Sequence, residues 1–446
     1  MQKKEPASDF RYATGEARVP WTAVGESVRE EEIMAMMEFL IQPRSGKKAE
    51  YKDRLRRLRN ELASLGEVSQ PAGKLTLGGK VEELENRVAK MLGVKHAVFL
   101  NNATAGFEIA LKFAGLQPGD EVIAPAITFI ATIAYPLSIG AKVVLADVDP
   151  RTINMDPADV RRKITKKTKA IIPVHIGGYP VDMDPIMSLA KRHDLTVIED
   201  AAHSFGATYK GKMTGGIGHF GAFSFHEVKN INSLGEGGIL VSNSSKYGPE
   251  LRRARFLGLD LTRQIENWLY DVPAFEGKAG YFATGNYSVT EVQAVCLLSQ
   301  LKRLNSIIAK RRKAARYLNH RFKNVEGLVP PPIDDDGIKS THHLYLLQVD
   351  PKKAGADVQT FKKKLQARGL TQIPHFAPLY KFSIMRQLGY DTETMQEGCP
   401  VAEEVFQRRF THLPLYELQE DQLAYMADAV IDSVNEMKRE AGLEAS

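Results

Sequence analysis

The chain has 446 residues, of which 43% are hydrophobic and 26% charged, a composition that predicts an ordinary globular protein with a large domain and a smaller one. The formal net charge of +6 is mild and suits an anionic small molecule, so neither nucleic acid nor a membrane is expected as a partner, and no apolar run has the length of a signal sequence or a membrane span. Only Cys296 and Cys399 are present, which argues against a disulfide framework and favours a reducing cytoplasm.

Two helices are predicted ahead of the main sheet. Three glutamates, Glu30 to Glu32, mark the start of an amphipathic helix. A basic helix follows between about residues 42 and 74. Its leucines recur at three- and four-residue steps among arginines: Leu55, Leu58, Leu62 and Leu65 among Arg54, Arg56, Arg57 and Arg59. This spacing is typical of a solvated helix that packs on a partner.

From residue 96 onward, apolar runs alternate with segments long enough for a helix. Strands are predicted near residues 96–100, 121–124, 142–146, 170–174 and 196–198. Because each gap accommodates a crossover helix, the pattern predicts a largely parallel α/β sheet. Two further runs, 223–225 and 239–241, are too close for a crossover, so they are predicted to be neighbours of different direction or position in the same sheet. A mixed α+β region follows.

An acid and a lysine stand where two of these strands end. The run from Leu195 leads to Glu199 and Asp200, and a parallel strand delivers such an acid to the carboxyl edge of its sheet, where ligands bind. Lys229 follows the run that contains Ser224. A lysine amine condenses with an aldehyde and a carboxylate holds a pyridine nitrogen protonated, which is what pyridoxal phosphate (PLP) requires. Ser224 could reach the phosphate of that cofactor.

The motifs in this stretch are specific. They are Glu199-Asp200-Ala201-Ala202-His203, Phe223-Ser224-Phe225 with Lys229-Asn230, and Gly235-Glu236-Gly237-Gly238. In this combination the chain resembles the PLP-dependent sugar aminotransferases of the DegT/DnrJ/StrS type, from about Pro20 to the C-terminal helix. The resemblance implies PLP fold-type I, the α/β architecture of aspartate aminotransferase. That fold has a large domain with a mostly parallel seven-stranded sheet and a smaller α+β C-terminal domain.

The resemblance also divides the chain. Residues 1–43 are an N-terminal segment and helix, 44–74 a helical insertion, 75–305 the large PLP-binding domain and 306–446 the small C-terminal domain. In the family, a Ser-Gly after the first helix is followed almost at once by a Leu-Thr-x-Gly stretch, whereas here residues 47–74 separate the two. We interpret the insertion as a surface hairpin or a dimer contact, in preference to a substrate lid.

For the ring of the cofactor, the resemblance implies a role for each matching position. Lys229 is the catalytic residue, which holds PLP as a Schiff base and afterwards shuttles a proton. Asp200 pairs with the pyridine nitrogen and His203 approaches the phenolic oxygen. Phe129, just past the second strand of the series, stacks on the ring.

For the phosphate, the resemblance implies a corner built from two segments. Thr104 and Ala105 at the start of a helix lie on one side and Ser224 on the other. Asn286 reaches across a dimer to the phosphate of the neighbouring subunit, which implies a homodimer or a higher homo-oligomer with a shared active site.

Three positions depart from the family pattern. Ala103 replaces a glycine, Leu234 is an extra residue between the lysine and the glycine-rich turn, and Ser288 stands where the family carries an arginine. The loss of that cation removes a usual contact with the substrate or the partner subunit. Two histidines, His175 and His375, are candidates for substrate binding, and a structural role is an equal alternative for each.

Two other kinds of site are disfavoured. Gly216 to Gly221 matches G-x-G-x-x-G literally, but it precedes a strand instead of linking a strand to a helix, which argues against a dinucleotide site. The spacing of the histidines, acids and cysteines suggests no metal site.

The sequence therefore predicts an aminotransferase that works in two half-reactions. Glutamate or glutamine is the expected donor, and a keto-sugar nucleotide or a related cyclic ketone is the expected acceptor. A cyclitol aminotransferase or an aminohydroxybenzoate-type synthase remains an alternative. Lys229 disfavours the sugar dehydratases of the superfamily, in which a histidine replaces the lysine. A non-enzymatic regulator that binds DNA through the segment Arg54 to Arg59 ranks low, and it predicts salt-sensitive DNA binding without a need for Lys229.

Overall fold

The computed structural model of the chain describes residues 27–69, 75–259, 272–335, 337–370, 376–415 and 418–443. The helices are α1 (Glu30–Leu40), α2 (Lys48–Gly66), α3 (Gly79–Leu92), α4 (Ala103–Phe113), α5 (Ala134–Ser138), α6 (Pro157–Lys163), α7 (Met183–His193), α8 (Leu251–Ala254), α9 (Glu291–Leu301), α10 (Leu304–Phe322), α11 (Pro351–Ala354), α12 (Val358–Ala367), α13 (Ser383–Gln387), α14 (Thr392–Glu397), α15 (Pro400–Glu404) and α16 (Glu420–Glu440). The strands are β1 (His96–Leu100), β2 (Glu121–Pro125), β3 (Lys142–Ala146), β4 (Thr168–Ile171), β5 (Thr196–Asp200), β6 (Thr208–Tyr209), β7 (Lys212–Met213), β8 (Phe220–Ser224), β9 (Gly238–Ser242), β10 (Phe275–Gly277), β11 (Gly280–Phe282), β12 (Leu328–Val329), β13 (Ile338–Lys339), β14 (Tyr345–Val349) and β15 (Phe410–Leu413). Within these ranges, no helix is both long and apolar enough to cross a membrane.

Seven strands form the central sheet in the order β1-β9-β8-β5-β4-β2-β3. The neighbours from β8 to β3 pair in parallel, and β9 lies antiparallel between β1 and β8. The predicted mostly parallel sheet is thus confirmed, and so is the prediction that the runs near residues 223 and 239 are neighbours of different direction. β4 ends at Ile171 instead of Val174, because Val174 joins β5 only through an isolated bridge to Asp200.

Helices cover both faces of the sheet, and the alternation of side chains along each strand decides which helix a residue meets. One core cluster joins α4 to Leu100, Ala222 and Leu240, and a second joins α3 and α9 to Phe99, Phe223 and Ile239. All six side chains are buried. Full burial of a large apolar side chain contributes about 1.5 to 3 kcal/mol, so the strands that carry the site are fixed from both sides.

The C-terminal part of the chain contains a smaller antiparallel sheet in the order β12-β14-β15. Tyr345, Leu347 and Val349 of β14 are buried in one cluster with Phe361 of α12 and Val430 of α16. This arrangement confirms the predicted smaller α+β domain. The predicted domain boundaries at residues 43, 74 and 305 stay a prediction.

The basic helix predicted from the leucine spacing is present as α2, and it forms an antiparallel hairpin with α1. Tyr51 Oη donates a hydrogen bond to the carbonyl oxygen of Ile41 at 2.6 Å, and Gly66 at the other end of α2 lies against the side chain of Glu30. Among the described residues of α1 and α2, Met34 alone is buried, and Phe39 is 79% exposed. The hairpin therefore carries an apolar surface that the described part of the chain does not cover.

The arginines of α2 have counter-charges within the hairpin. Each of four arginines pairs with an acid: Arg54 with Glu50, Arg56 and Arg57 with Asp53, and Arg59 with Glu38 of α1. The four arginine side chains are more than half exposed, so each pair contributes at most about 1 kcal/mol. The positive charge of the four arginines is therefore partly offset by three carboxylates of the hairpin.

Candidate active site

The carboxyl ends of β5 and β8 lie side by side at one edge of the central sheet. Asp200 ends β5 and pairs with Ala222 of β8, while Ser224 ends β8 and pairs with Gly238 at the start of β9. Lys229 follows five residues after Ser224. Parallel pairing thus delivers the acid and the lysine segment to the same edge, as the strand pattern predicts.

Lys229 lies in the loop that leads from β8 back into β9. Backbone hydrogen bonds hold this loop, including Lys229 N–H to the His226 carbonyl and Glu227 N–H to the Gly235 carbonyl, both at 2.9 Å. Burial lowers the pKa of the Lys229 amine to about 8, and the charge of Asp200 opposes this shift. About a tenth of the amine is then unprotonated at pH 7, compared with less than about a thousandth for an ordinary lysine. The side chain is therefore prepared for nucleophilic attack.

Asp200 is 5% exposed, and its carboxylate accepts two short hydrogen bonds. Thr132 Oγ1 donates to Oδ2 at 2.7 Å, and the Ala202 N–H donates to Oδ1 at 3.1 Å. Burial raises the pKa of the Asp200 carboxyl, and the two hydrogen bonds, followed by the charge of Lys229, oppose that rise. The contacts thus offset part of the cost of burying a charge at the strand end.

A short turn after β2 carries both an exposed aromatic residue and a hydroxyl that contacts this acid. Phe129 is 58% exposed and precedes the 3-10 turn Ile130–Ile133, whose third residue is Thr132. The Thr132 N–H donates to the Phe129 carbonyl at 3.1 Å. One turn therefore fixes the backbone of Phe129 and supplies a hydroxyl to Asp200.

The first turn of α4 lies against the start of β9. Asn102 caps the helix by accepting a hydrogen bond from the Ala105 N–H at 2.9 Å. A β-carbon on Gly238 would lie only 2.4 Å from the Asn102 carbonyl carbon, so this close approach requires a glycine. Because Gly238 pairs with Ser224, the helix start that carries Thr104 and Ala105 lies beside the Ser224 strand end. A helix N-terminus flanked by two hydroxyls is suited to a phosphate.

Two neutral histidines stack next to the lysine. The rings of His203 and His343 lie 4.6 Å apart, and burial, followed by the charge of Lys229, holds the pKa of each well below its usual value. His203 Nδ1 accepts from the Gly177 N–H at 3.3 Å, so the ring hydrogen lies on Nε2. His343 Nδ1 lies 3.1 Å from Oδ1 of Asn230, the residue after the lysine. This contact links the stacked pair to the residue that follows the lysine.

The departures from the family pattern are accommodated locally. Ala103 is buried at the start of α4. Leu234 is 45% exposed and adopts a left-handed φ of 61°, which costs a residue with a β-carbon about 1 to 2 kcal/mol. The extra residue therefore lies toward solvent, away from the strand ends. The Ser288 hydroxyl is buried and has no hydrogen-bond partner, while the Ser288 N–H donates to Asn286 Oδ1 at 3.0 Å. Asn286 itself is exposed.

Glu199 precedes Asp200, but its carboxylate binds a loop of the protein. Its carboxylate accepts hydrogen bonds from three backbone N–H groups, those of Gly215 at 2.7 Å, Ile217 at 2.7 Å and Gly218. These residues overlap the glycine pattern that matches a dinucleotide fingerprint. The loop leads directly into β8, as predicted, and does not open a helix.

The structure commits the ring of His175 to contacts within the fold. The ring is fully buried, its Nε2 lies 3.0 Å from Glu199, and its Nδ1 accepts from the Val181 N–H at 3.0 Å. Both nitrogens are occupied by the fold, which favours the structural alternative. His375 lies outside the described residues.

The donor set fits PLP. It contains an amine with a lowered pKa, a buried carboxylate, an aromatic ring on a turn and a hydroxyl-flanked helix start, all at one sheet edge. Asn230 Nδ2 is buried without a hydrogen-bond partner beside this set, as expected where a polar group completes the site. In the described segments, no group of three histidines, cysteines or acids is arranged to hold a metal ion.

Sequence reasoning missed Thr132 and His343. Thr132 lies 68 positions before Asp200, and His343 lies 113 positions after Asn230, so only the folded chain joins them. The available signals were weak: a threonine three residues after the predicted aromatic, and a histidine pair, His342 and His343, before an apolar run.

Comparisons with known proteins agree with this geometry. The model of the DegT/DnrJ/EryC1/StrS aminotransferase family matches residues 57–431. The chain is 36% identical over 371 residues to the spore coat polysaccharide biosynthesis protein SpsC of Bacillus subtilis, which covers 81% of this chain and 92% of that protein. It is 35% identical over 330 residues to the GDP-perosamine synthase of Caulobacter vibrioides, which covers 73% of this chain and 84% of the synthase.

Among solved structures, the chain is similar to Spr1654 of Streptococcus pneumoniae, provisionally described as a sugar aminotransferase. The TM-score is 0.72 at 27% identity, with 83% of this chain and 94% of that chain covered. Spr1654 has been solved in a pyridoxamine phosphate form and in a PLP form. These similarities confirm the predicted fold-type I architecture and the PLP cofactor.

Proposed function

The chain belongs to the DegT/DnrJ/EryC1/StrS aminotransferase family and is a PLP-dependent aminotransferase; we propose that it transfers the amino group of glutamate or glutamine to a keto-sugar nucleotide. The observation that carries the proposal is the Lys229 amine, whose pKa is lowered to about 8, beside the buried Asp200 at the edge of the sheet. The similarity to a synthase named for GDP-perosamine supports a nucleotide-linked acceptor, and the net charge of +6 is compatible with an anionic substrate.

In the proposed mechanism, each residue has one task. PLP supplies an electrophilic aldehyde and an electron sink. Lys229 would hold the aldehyde carbon of PLP through Nζ and, when the amino donor occupies that carbon, would move the proton of the donor α-carbon. Asp200 would keep the pyridine nitrogen protonated, and His203 would donate from Nε2 to the phenolic oxygen. Phe129 would cover the ring.

The phosphate has its own proposed contacts. Thr104 and Ser224 would bind it with their hydroxyls, and the N-terminus of α4, whose first turn contains Ala105, would face its charge. Because these groups lie on two elements joined through Gly238, they would hold the phosphate, and with it the cofactor, independently of Lys229.

Asn286 supports a homodimeric site. It is exposed in the loop before α9, where a neighbouring subunit has access to it. Mixing Lys229→Ala and Asn286→Ala proteins after gentle dissociation should restore about a quarter of the wild-type activity, because half of the dimers would be hybrid and each hybrid would hold one intact site. If the mixture stays inactive while hybrid dimers form, the shared site is wrong.

The substrate proposal is tested with purified protein and a panel of acceptors. Glutamate and glutamine are each supplied with 4-keto nucleotide sugars, cyclitol ketones or an aminohydroxybenzoate precursor, and the aminated product is detected by mass spectrometry. We expect turnover with the nucleotide sugars and none with Lys229→Ala. Amination of the cyclitol ketones alone would replace the proposal with the cyclitol aminotransferase alternative.

The DNA-binding alternative is disfavoured by the hairpin. The four arginines of α2 that would meet phosphates are paired with Glu50, Asp53 and Glu38. Fluorescence anisotropy with labelled duplex DNA at low salt tests this directly. Tight, salt-sensitive binding that Lys229→Ala leaves unchanged would support the regulator instead.

A further inference from the structure

Two buried hydroxyls form a chain of hydrogen bonds that ends at the carboxylate of Asp200. Thr132 Oγ1 donates to Asp200 Oδ2 at 2.7 Å, and Thr128 Oγ1 lies 2.9 Å from Thr132 Oγ1. The Thr132 side chain has only one hydroxyl hydrogen, and the carboxylate takes it. Thr128 must therefore be the donor in the second hydrogen bond, so the line runs from Thr128 through Thr132 to Asp200.

All three side chains are buried, so the direction of these hydrogen bonds affects the carboxylate strongly. Thr128 is 2% exposed, Thr132 0% and Asp200 5%. In such surroundings each hydrogen bond polarises the next, and an ionised acceptor gains more than a neutral one. The two donors at the carboxylate therefore favour its ionised form and oppose the effect of burial on its pKa.

The other groups around Asp200 act in the same direction. Burial raises the pKa of Asp200, and Thr132 is the largest opposing influence, ahead of the Ala202 N–H and Lys229. Lys229 loses its proton during the reaction. Thr132 and Ala202 are thus the stabilising contacts that persist when the lysine is neutral.

The turn that carries the hydroxyls is anchored from the C-terminal part of the chain. The Leu379 N–H donates to the Ala126 carbonyl at 2.8 Å, and Ile127 forms an isolated antiparallel bridge with Pro378. The position of Thr128 and Thr132 is therefore set by backbone contacts on one side and by Asp200 on the other.

We propose that Thr128 and Thr132 form a positioning relay that holds Asp200 as an oriented anion against the pyridine nitrogen of PLP. Thr132 is the residue that acts on the carboxylate, and Thr128 fixes the direction of the Thr132 hydroxyl. The proposal rests on the PLP chemistry proposed for this site and extends it to two residues that act through Asp200.

The first test compares two substitutions at one position. Thr132→Val keeps the shape of the side chain and removes the hydroxyl, whereas Thr132→Ser keeps the hydroxyl. We expect Thr132→Val apoprotein to bind PLP about tenfold more weakly, as the loss of one hydrogen bond to a charged group predicts, and Thr132→Ser to stay within about threefold of wild type. Equal affinities for the two variants, both folded by circular dichroism, would overturn the relay.

The second test reads the ring nitrogen itself. In PLP labelled with ¹⁵N, the ring resonance of the wild-type protein should report a protonated pyridine, and in Thr132→Val it should move toward the neutral form. Thr128→Val should cause a smaller move in the same direction, and Thr128→Ser none. An unchanged resonance in Thr132→Val refutes the relay, and so does an unchanged resonance in Thr128→Val. Failure of the wild-type protein to bind PLP would instead refute the assigned chemistry.

Discussion

The edge of the central sheet that carries the site and the α1–α2 hairpin differ in the solvent exposure of their polar contacts. At the sheet edge, Asp200 is 5% exposed and its hydrogen bonds come from a buried hydroxyl and a backbone N–H. In the hairpin, Arg59 and Glu38 form an equally short ion pair with side chains that are 57% and 39% exposed. Low dielectric makes the first set of contacts strong, and water weakens the second. Short distances alone therefore do not identify the contacts that matter.

The largest expected difference follows from the lysine. Lys229→Ala should lower transamination by at least about 10³-fold, because both the nucleophile and the proton carrier are lost. The visible band of the bound cofactor should disappear, and the fold, followed by circular dichroism, should persist. Residual turnover above a hundredth of wild type would place the catalytic amine elsewhere.

Asp200→Asn should come next, with a loss of about 10²-fold or more in transamination, because an amide cannot hold the pyridine nitrogen protonated. The side chain keeps nearly the same volume, so the thermal unfolding midpoint should change little. Steady-state assays at saturating PLP separate a catalytic loss from weak cofactor binding. A variant with wild-type turnover at saturating PLP would contradict the role of the carboxylate.

A third prediction concerns pH. Because the pKa of Lys229 is lowered to about 8, the rate of Schiff-base formation between apoprotein and PLP should rise about tenfold per pH unit below pH 8 and level off above it. The unfolded chain still holds this proton up to its ordinary pKa, so the stability of the apoprotein should rise with pH between about 8 and 10.5. Stopped-flow absorbance gives the midpoint of the rate. A midpoint near 10.5 would show that the amine is solvated.

The smallest effect is expected in the hairpin. Arg59→Ala should lower the free energy of unfolding by less than about 1 kcal/mol, because the broken ion pair is exposed, and turnover should stay within about twofold. Arg54→Ala, which breaks a pair inside α2, is the matched control. A tenfold loss of turnover in Arg59→Ala but not in Arg54→Ala would make the hairpin a substrate lid.

The architecture could be predicted because it is encoded in local patterns. Short apolar runs marked β1, β2, β3 and β5, and the short spacing between residues 225 and 239 indicated the reversed strand β9. The end of β4 was placed three residues too late, since Pro173 and Val174 extend the apolar run without joining the ladder. An apolar run predicts which residues are buried. Where the hydrogen-bonded pairing of a strand ends depends on the neighbouring strand.

The site could be predicted only where a residue belongs to a motif. Lys229, Asp200 and Ser224 were found through their motifs, and the fold brings their segments together. Thr132 and His343 act through partners that are distant in sequence, and neither residue type has a pattern of its own. Buried hydroxyls and neutral histidines are ordinary core residues until their partners are known.

The glycine-rich loop that resembles a dinucleotide-binding pattern binds the carboxylate of Glu199. The backbone amides around the glycines of residues 215–218 converge on an anion, as they would on a pyrophosphate, but the anion is a side chain of the same molecule. These N–H groups already have an acceptor, so a dinucleotide would have to displace the side chain of Glu199 to bind there. Glycine spacing thus indicates a backbone that surrounds a negative charge. It does not specify whether a ligand or a side chain carries that charge.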